Sequence, residues 1–430
     1  MHIKLTQTAP TSSYLWSNAP SRLLCVSLAA LAVITGCSTR PERPIEVAKI
    51  KPPEILTGPY SFFVPPYSYY YFHHMDQLGF RLNWIRHEGP VYALQEPKAP
   101  FTVSYTYHGD AYSLEDYYQR NAVLGFLVLK DNQIITERYF HDSDQNSRFY
   151  SMSVQKSMTS TLFGIAFEEG LIGSLDDPVT KYLPDFQASG YNRVNLRQAL
   201  KMATGIDATE NALDPKSSFN GFAWMTVAGM PPMSEFLKAL KAEPGVKPGT
   251  VFDYESVNTA VLGLILRNAS GMTLNKYMQA KLWSKIGAQS DAFIYSAPVE
   301  KNQGAYGCLC ATLRDYGRFG LMMMNGGTLG VTRVVRESWV RQATVPQSYP
   351  ACPPASGGYG YQWWIPTGGD GAFQAMGIFG QLIYINPAAH VVIVETSAWP
   401  QADSDARWDE MEKVVAAITL RLSEPVRGQK

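Results

Sequence analysis

Ser153-Val154-Gln155-Lys156 opens an apolar stretch that carries Met158, Leu162 and Ile165 at helical spacing. Residues three apart share one face of a helix, so the Ser153 hydroxyl and the Lys156 amine come within reach of each other. A serine at the first turn also meets unpaired backbone N–H groups and the positive end of the helix dipole. The pair reads as a nucleophile and its base, with the Ser153 N–H as half of an oxyanion hole. On the tetrapeptide alone, a capping serine and a solvent-reaching lysine would fit better. An ordinary lysine has a pKa of about 10.4, so only about one in a few thousand is neutral at pH 7. That scarcity would add about 4–5 kcal/mol to a barrier. The chemistry needs a dry site or a neighbour that shifts the amine, and the apolar helix offers the first.

A second stretch, Pro248-Gly249-Thr250-Val251-Phe252-Asp253-Tyr254-Glu255-Ser256-Val257-Asn258, ends a loop and leads into an apolar helix over 259–266. Tyr254 on such a loop can shuttle a proton between nucleophile, lysine and leaving group. It can equally be one packing tyrosine among 25.

Outward from these two stretches, residues 122–130 and 133–140 read as a β-hairpin around Asp131-Asn132. Gly170 sits where the Ser153 helix should stop. Residues 195–295 alternate helical stretches and loops, and 331–344 read as a surface helix anchored by Trp339. Residues 358–364 read as a strand, and strands over 381–385 and 391–396 flank the turn Asn386-Pro387. A last amphipathic helix over 404–422 carries Met411, Val414, Val415, Ile418 and Leu422 on one side. Strands at both ends with helices between predict an α+β fold. One antiparallel sheet is built from the two chain ends and flanked by helices, with a helical region inserted.

Lys4 and Arg22 precede an apolar run, 23–34, of the length of a secretory signal core and too short to span a bilayer comfortably. It ends in Ile34-Thr35-Gly36-Cys37, which resembles a bacterial lipobox. That similarity implies cleavage before Cys37, lipidation of its thiol and, with Ser38 following, attachment at the outer membrane facing the periplasm. The domain reading is then a lipoprotein signal at 1–36 and a proline-rich tether at 37–57. An aromatic-rich segment at 58–115 packs on a catalytic domain at 116–425. Loss of residues 1–36 removes two positive charges and no negative ones from a chain with 37 of each, so the balance stays near neutral. Nothing in it points to nucleic acid. Cys25 would leave with the signal. Cys352 could then pair with Cys308 or Cys310, or these could be buried free thiols. The scattered histidines form no metal-binding pattern, so neither a metal nor a cofactor is expected.

With these residues in place, the chain resembles the serine β-lactamase-related superfamily, on the branch of class C β-lactamases, related esterases and 6-aminohexanoate-dimer hydrolases. Ser153-Val154-Gln155-Lys156 is similar to that superfamily's Ser-x-x-Lys motif. Leu175-Asp176-Asp177-Pro178-Val179, Tyr182-Leu183-Pro184, Met202-Ala203-Thr204-Gly205-Ile206, Tyr254-Glu255-Ser256 and the 310–320 stretch follow in the family's order. The resemblance spans nearly all of the chain from residue 60 to 422. It implies a β-lactamase/transpeptidase-like fold, Ser153, Lys156 and Tyr254 as catalytic groups, and the Ala375 N–H as second oxyanion donor. It also sets Ser256, Gly377 and Phe379 at the substrate. The departure is at the third motif. Ala372-Phe373-Gln374 stands where class C enzymes carry Lys-Thr-Gly, so the cation that greets a substrate carboxylate is missing, and Ser256 replaces their asparagine.

The expected function is a serine hydrolase that cleaves ester or amide bonds of small substrates through an acyl-enzyme. The alternatives are a β-lactamase or D-amino-acid peptidase, or a non-catalytic cell-wall-binding lipoprotein. No Gly-x-Ser-x-Gly elbow, dinucleotide fingerprint or phosphate loop is present.

Overall fold

The computed structural model describes Phe63 and residues 65–97, 99–211, 214, 217–219, 232–297, 302–346, 357–368 and 370–423. The expectations for 1–36, for 37–57 with Cys37, and for Cys352 fall outside the described residues.

Strand β1 (Arg81–Ile85) comes from the aromatic segment. Helix α1 (Leu114–Arg120) is opened by a capping box: the Asp116 N–H donates to Ser113 Oγ and the Ser113 N–H donates to the Asp116 carboxylate. Strands β2 (Val123–Lys130) and β3 (Gln133–Tyr139) form the hairpin, with Asp131 in the left-handed region at φ +53°. Strand β4 (Phe149–Tyr150) runs into helix α2 (Val154–Glu168). Then come helix α3 (Ser256–Ser270), β5 (Ala292–Ser296), β6 (Leu309–Ala311), α4 (Leu313–Met324) and α5 (Glu337–Ala343). The end of the chain supplies β7 (Gly358–Tyr359), β8 (Trp364–Ile365), β9 (Phe373–Gly377), β10 (Gln381–Asn386), β11 (Val391–Ser397) and α6 (Asp405–Ser423).

The main sheet is antiparallel, in the order β7-β8-β9-β10-β11-β2-β3. Its two halves join where β11 pairs β2, from Val391 opposite Lys130 to Glu395 opposite Phe126. The strands from the two ends of the domain therefore form one sheet, with the helical region inserted between them. β2 is buried along all but its last residue, as expected of a strand covered on both faces. One face receives α4, where Gly317 and Gly320 let the helix backbone approach; a β-carbon on Gly320 would meet Val392 at 2.5 Å. The other face receives α1 and α6. Tyr118 packs on Phe126 with ring centroids 5.0 Å apart, and the Tyr117 hydroxyl donates to Glu395 at 2.8 Å. Tyr105 and Asn121 donate to Glu410 of α6, and Arg120 pairs with the same carboxylate. Met411, Val414, Val415 and Ile418 on α6 are buried. At about 1.5–3 kcal/mol per fully buried side chain, that stripe contributes on the order of 6–12 kcal/mol before conformational entropy is charged against it.

A second sheet, β1-β5-β6-β4, is short and also antiparallel, with Tyr150 opposite Cys310. It aims the chain leaving β4 at the start of α2. From the aromatic segment, Tyr69, Tyr71 and Phe72 are core residues.

Two expected elements take a different form. The single strand over 358–364 is two short strands, β7 and β8, folded back on each other with Tyr359 opposite Trp364. Gln362 at φ +65° and the Gly360 N–H bond to Trp363 O make that turn. The helix over 331–344 is only Glu337–Ala343, because 328–333 form a hairpin turned at Gly330, φ +58°. Trp339 is buried on that helix. Cys308 and Cys310 are buried free thiols.

Candidate active site

The turn between β4 and α2 carries the predicted nucleophile. Met152 adopts left-handed geometry, at φ +45°, and Ser153 follows as the residue that caps α2. Non-glycine residues enter this region rarely, so the surroundings must hold it there. They do so through α2, whose first turns are buried. Gln155 donates to Gly304 O at 2.9 Å and accepts from the Cys308 N–H at 2.6 Å. Thr159 Oγ1 donates to Ala305 O, and Ser157 Oγ donates to Gln362 O at 2.6 Å. These bonds tie the helix to the 304–308 segment and to the β7–β8 turn, and the 304–308 segment supplies a partner to the lysine.

Lys156 is 1% exposed. Its Nζ donates to Ser153 Oγ at 2.7 Å and to Tyr306 O at 3.1 Å. Burial pushes its amine down to about 8, against the opposing pull of the Glu210 carboxylate. At that value about one amine in ten is neutral at pH 7, a cost of about 1.4 kcal/mol in place of 4–5. The dry helix thus has the effect that the sequence required of it.

Tyr254 sits on the loop entering α3, with Lys156 Nζ 5.0 Å from its ring centroid and a hydrogen bond to Ser153. Burial holds its phenol well above the ordinary range, and Glu210 adds to that. The loop is anchored by the stretch matched at 202–206. The Asp253 N–H donates to Met202 O at 2.7 Å, the Gly249 N–H to Ala203 O at 2.7 Å, and Thr204 Oγ1 to Asn258 of α3 at 3.0 Å. That landmark is scaffolding for Tyr254. The structure therefore gathers Ser153, Lys156 and Tyr254 around one oxygen atom.

Glu210 was not singled out from the sequence. It accepts the Ser256 N–H at 2.8 Å and the Ser256 hydroxyl at 2.5 Å, at the start of α3. Burial raises its pKa, and Lys156 and the two Ser256 bonds oppose the rise. No local motif marks this residue; only the fold brings it to Lys156. The next carboxyl along, Glu255, is 2% exposed, and neither of its oxygens has a hydrogen-bond partner. Burial first, then Asp253, Glu210, Glu243 and Asp207, push it up to about 10. Asp253 is pushed up to about 6 by burial and by Glu243 and Glu210.

The remaining predicted residues surround this centre in different ways. Ser256 is buried, with its hydroxyl engaged by Glu210. Ala375 lies inside β9 opposite Ile383. Gly377, at the end of β9, presses on the nucleophile turn: a β-carbon there would lie 2.8 Å from Met152 Cβ and 2.9 Å from Ser153 N. Phe379 is buried at φ +62°, stacked on Phe63 at 5.6 Å and edge-on to Phe72 at 5.3 Å. An apolar wall of Met202, Phe252, Tyr359 and Trp364 packs beside Tyr254 and Met376. Among the described residues no group of three or more His, Cys, Asp or Glu is arranged to hold a metal ion, and no helix is long and apolar enough to cross a membrane. A cavity of about 290 Å³ lined by Phe167, Arg336 and Trp339 lies at the far end of α2. At 1.5 Å per residue that is about 20 Å from Ser153.

Comparison with known proteins shows what the chain is similar to. The family description "Beta-lactamase" matches residues 114–416. The chain is 32% identical over 305 residues to the 6-aminohexanoate-dimer hydrolase of Paenarthrobacter ureafaciens, covering 68% of this chain and 76% of that one. Among solved structures it is similar to a Bacillus anthracis protein provisionally named a 6-aminohexanoate-dimer hydrolase. There the TM-score is 0.75 and the identity 23%, over 85% of this chain and 97% of the other. A family VIII carboxylesterase shares the fold at TM-score 0.54 and 19% identity, over 72% and 96% of the two chains.

Proposed function

The chain belongs to the beta-lactamase family, and from that premise we propose that it is a serine hydrolase that opens ester or amide bonds of small substrates through an acyl-enzyme on Ser153. The observation that carries this reading is the 2.7 Å contact between Lys156 Nζ and Ser153 Oγ at a buried amine brought down to about 8.

In acylation, neutral Lys156 takes the Ser153 proton as Oγ bonds to the substrate carbonyl carbon. The Ser153 N–H, at the positive end of α2, faces the oxygen that becomes negative. The second donor is better supplied by Ile378 than by Ala375. Ile378 follows the glycine that presses on the Ser153 amide. Ala375 lies two residues earlier, about 7 Å back along the strand at 3.4 Å per residue. Tyr254 gives its proton to the leaving nitrogen or oxygen and is refilled from the Lys156 ammonium. Its raised pKa suits a donor that must not rest as phenolate. In deacylation, water loses a proton to Lys156 through Tyr254 as it attacks the acyl carbon, and the Lys156 ammonium returns a proton to Ser153 Oγ as the ester bond to Ser153 breaks.

The wall formed by Phe252, Tyr359, Trp364 and Met376, with the Glu210 carboxylate acting on Lys156, favours substrates without a carboxylate beside the scissile bond. This weighs against β-lactams and D-amino-acid peptides. The reading keeps a lipid anchor at Cys37, at the outer membrane facing the periplasm, on the strength of residues 23–37 alone. Matched ester, amide and β-lactam probes, given to wild type and Ser153→Ala, test the activity. Acylation mapped by mass spectrometry to another residue, or undiminished turnover in Ser153→Ala, would refute it.

A further inference from the structure

Glu210 occupies a loop that is clamped on both sides of it. Thr209 O accepts the Ser217 hydroxyl at 2.5 Å and the Phe219 N–H at 3.0 Å, while the Thr209 N–H donates to Ser218 Oγ at 2.6 Å. The Ser218 N–H returns a bond to Thr209 Oγ1 at 3.0 Å, and on the other side the Asn211 N–H donates to Ser217 Oγ at 3.0 Å. The carboxylate between them is held at the head of α3 by both donors of Ser256. A backbone N–H at a helix start and a hydroxyl are what an anion needs in place of water. Glu210 is thus a fixed negative charge, and the loop and helix holding it are the ones that flank Tyr254.

Resting on the acyl-enzyme reading above, we propose that Glu210 is the positioning residue that directs proton flow at Ser153. Its immobilised carboxylate stabilises the ammonium formed when Lys156 takes the Ser153 proton, and it keeps Tyr254 a phenol ready to donate.

The charges around the two groups support this. Lys156 faces Ser153 on its own helix, Tyr254 from the α3 loop, Tyr306 O and Cys308 from the segment before β6, and Glu210 from its clamped loop. Glu210 is the carboxylate acting on the amine there, and it opposes the desolvation that drives the proton off. Glu210 in turn faces Lys156, Tyr254, Asp253 and Glu255. Its effect on the phenol has the opposite chemical consequence, since a phenolate beside a carboxylate is disfavoured. One fixed charge therefore sorts the two proton carriers, making Lys156 the acceptor and Tyr254 the donor.

The test is the pH dependence of kcat and kcat/KM for p-nitrophenyl butyrate in wild type, Glu210→Gln, Glu210→Asp, Ser256→Ala and Ser153→Ala, with thermal midpoints measured alongside. Removing the charge should move the acidic limb, which reports neutral Lys156, to lower pH. It should also lower the plateau of kcat by about tenfold or more, because the developing ammonium loses its counter-charge. Glu210→Asp should return the limb toward the wild-type position, and Ser256→Ala should shift it the same way as Glu210→Gln but less. A limb that stays in place in a folded Glu210→Gln overturns the proposal. If Glu210→Gln does not fold, an unmoved limb in Ser256→Ala overturns it. Turnover surviving in Ser153→Ala refutes the acyl-enzyme reading itself. A dead Ser153→Ala beside a Glu210→Gln with wild-type behaviour removes only the role of Glu210.

Discussion

Gly377 stands so close to Ser153 that a β-carbon on it would lie 2.9 Å from the Ser153 amide nitrogen and 3.0 Å from Ser151 O. The end of β9 and the start of α2 are therefore in backbone contact, and the nucleophile's N–H is positioned by a strand more than 200 residues away. Gly377→Ala must push one of the two apart. The expected cost is about 1–3 kcal/mol of stability, the usual range for overpacking. A displaced Ser153 should lower kcat by about a hundredfold. Thermal denaturation and steady-state kinetics on one preparation check both; unchanged kcat would mean that the site does not depend on this approach.

Lys156→Met should abolish turnover and yet stabilise the protein. The folded amine titrates near 8 against 10.5 in the unfolded chain. Between those values the unfolded state binds more protons, so wild-type stability rises with pH from about 8 to 10.5. Below pH 8 the buried amine carries its full penalty, at most about 3 kcal/mol at 1.36 kcal/mol per unit. Chemical denaturation at pH 7 and pH 10 should show the variant more stable at pH 7, with the gap closing at pH 10.

Tyr254→Phe removes the proton donor and leaves the packing against Tyr359 and Trp364 in place. The expected loss in kcat is about 10²–10⁴-fold, larger for amides than for esters with good leaving groups, since only the former need a proton delivered. Equal losses on both substrates would argue for a positioning role.

Glu395 lies between the main sheet and helix α1, accepting from Tyr117 at 2.8 Å and from Ser397 Oγ at 2.7 Å. Burial pushes its carboxyl up to about 8. A raised folded pKa means that the unfolded chain gives up its proton first. Stability should be highest below about pH 4.5 for this group and should fall as pH rises to 8. Glu395→Gln should flatten that slope by a few kcal/mol across pH 5–8. Urea denaturation at several pH values measures it, and a slope unchanged by the substitution would rule the assignment out.

Local spacing carried much of this protein's reading. Serine and lysine three apart on an apolar helix, strands at both ends of the domain and helices between them follow from periodicities that each segment holds within itself. The order of landmarks from Ser153 through Thr204 and Tyr254 to Arg318 placed the family. Spacing failed at 358–364, where β-rich composition hid a turn made by Gln362, and at 331–333, where a glycine hairpin replaced the start of a helix.

Contact and dryness belonged to the tertiary structure alone. A lysine's pKa depends on what excludes water from it, and here α2 is sealed by the 304–308 segment and the β7–β8 turn, parts of the chain about 150 or more residues distant. Glu210 bears no motif, because its influence comes from a through-space charge fixed by Ser256 and the Thr209–Ser218 clamp. No local pattern records that Gly377 lies against the Ser153 amide; the fold alone brings the two together. Sequence alone determined which atoms could react; the folded chain decided which of them lost their water and which charges they faced, because desolvation and Coulomb terms depend on distances that no local pattern records.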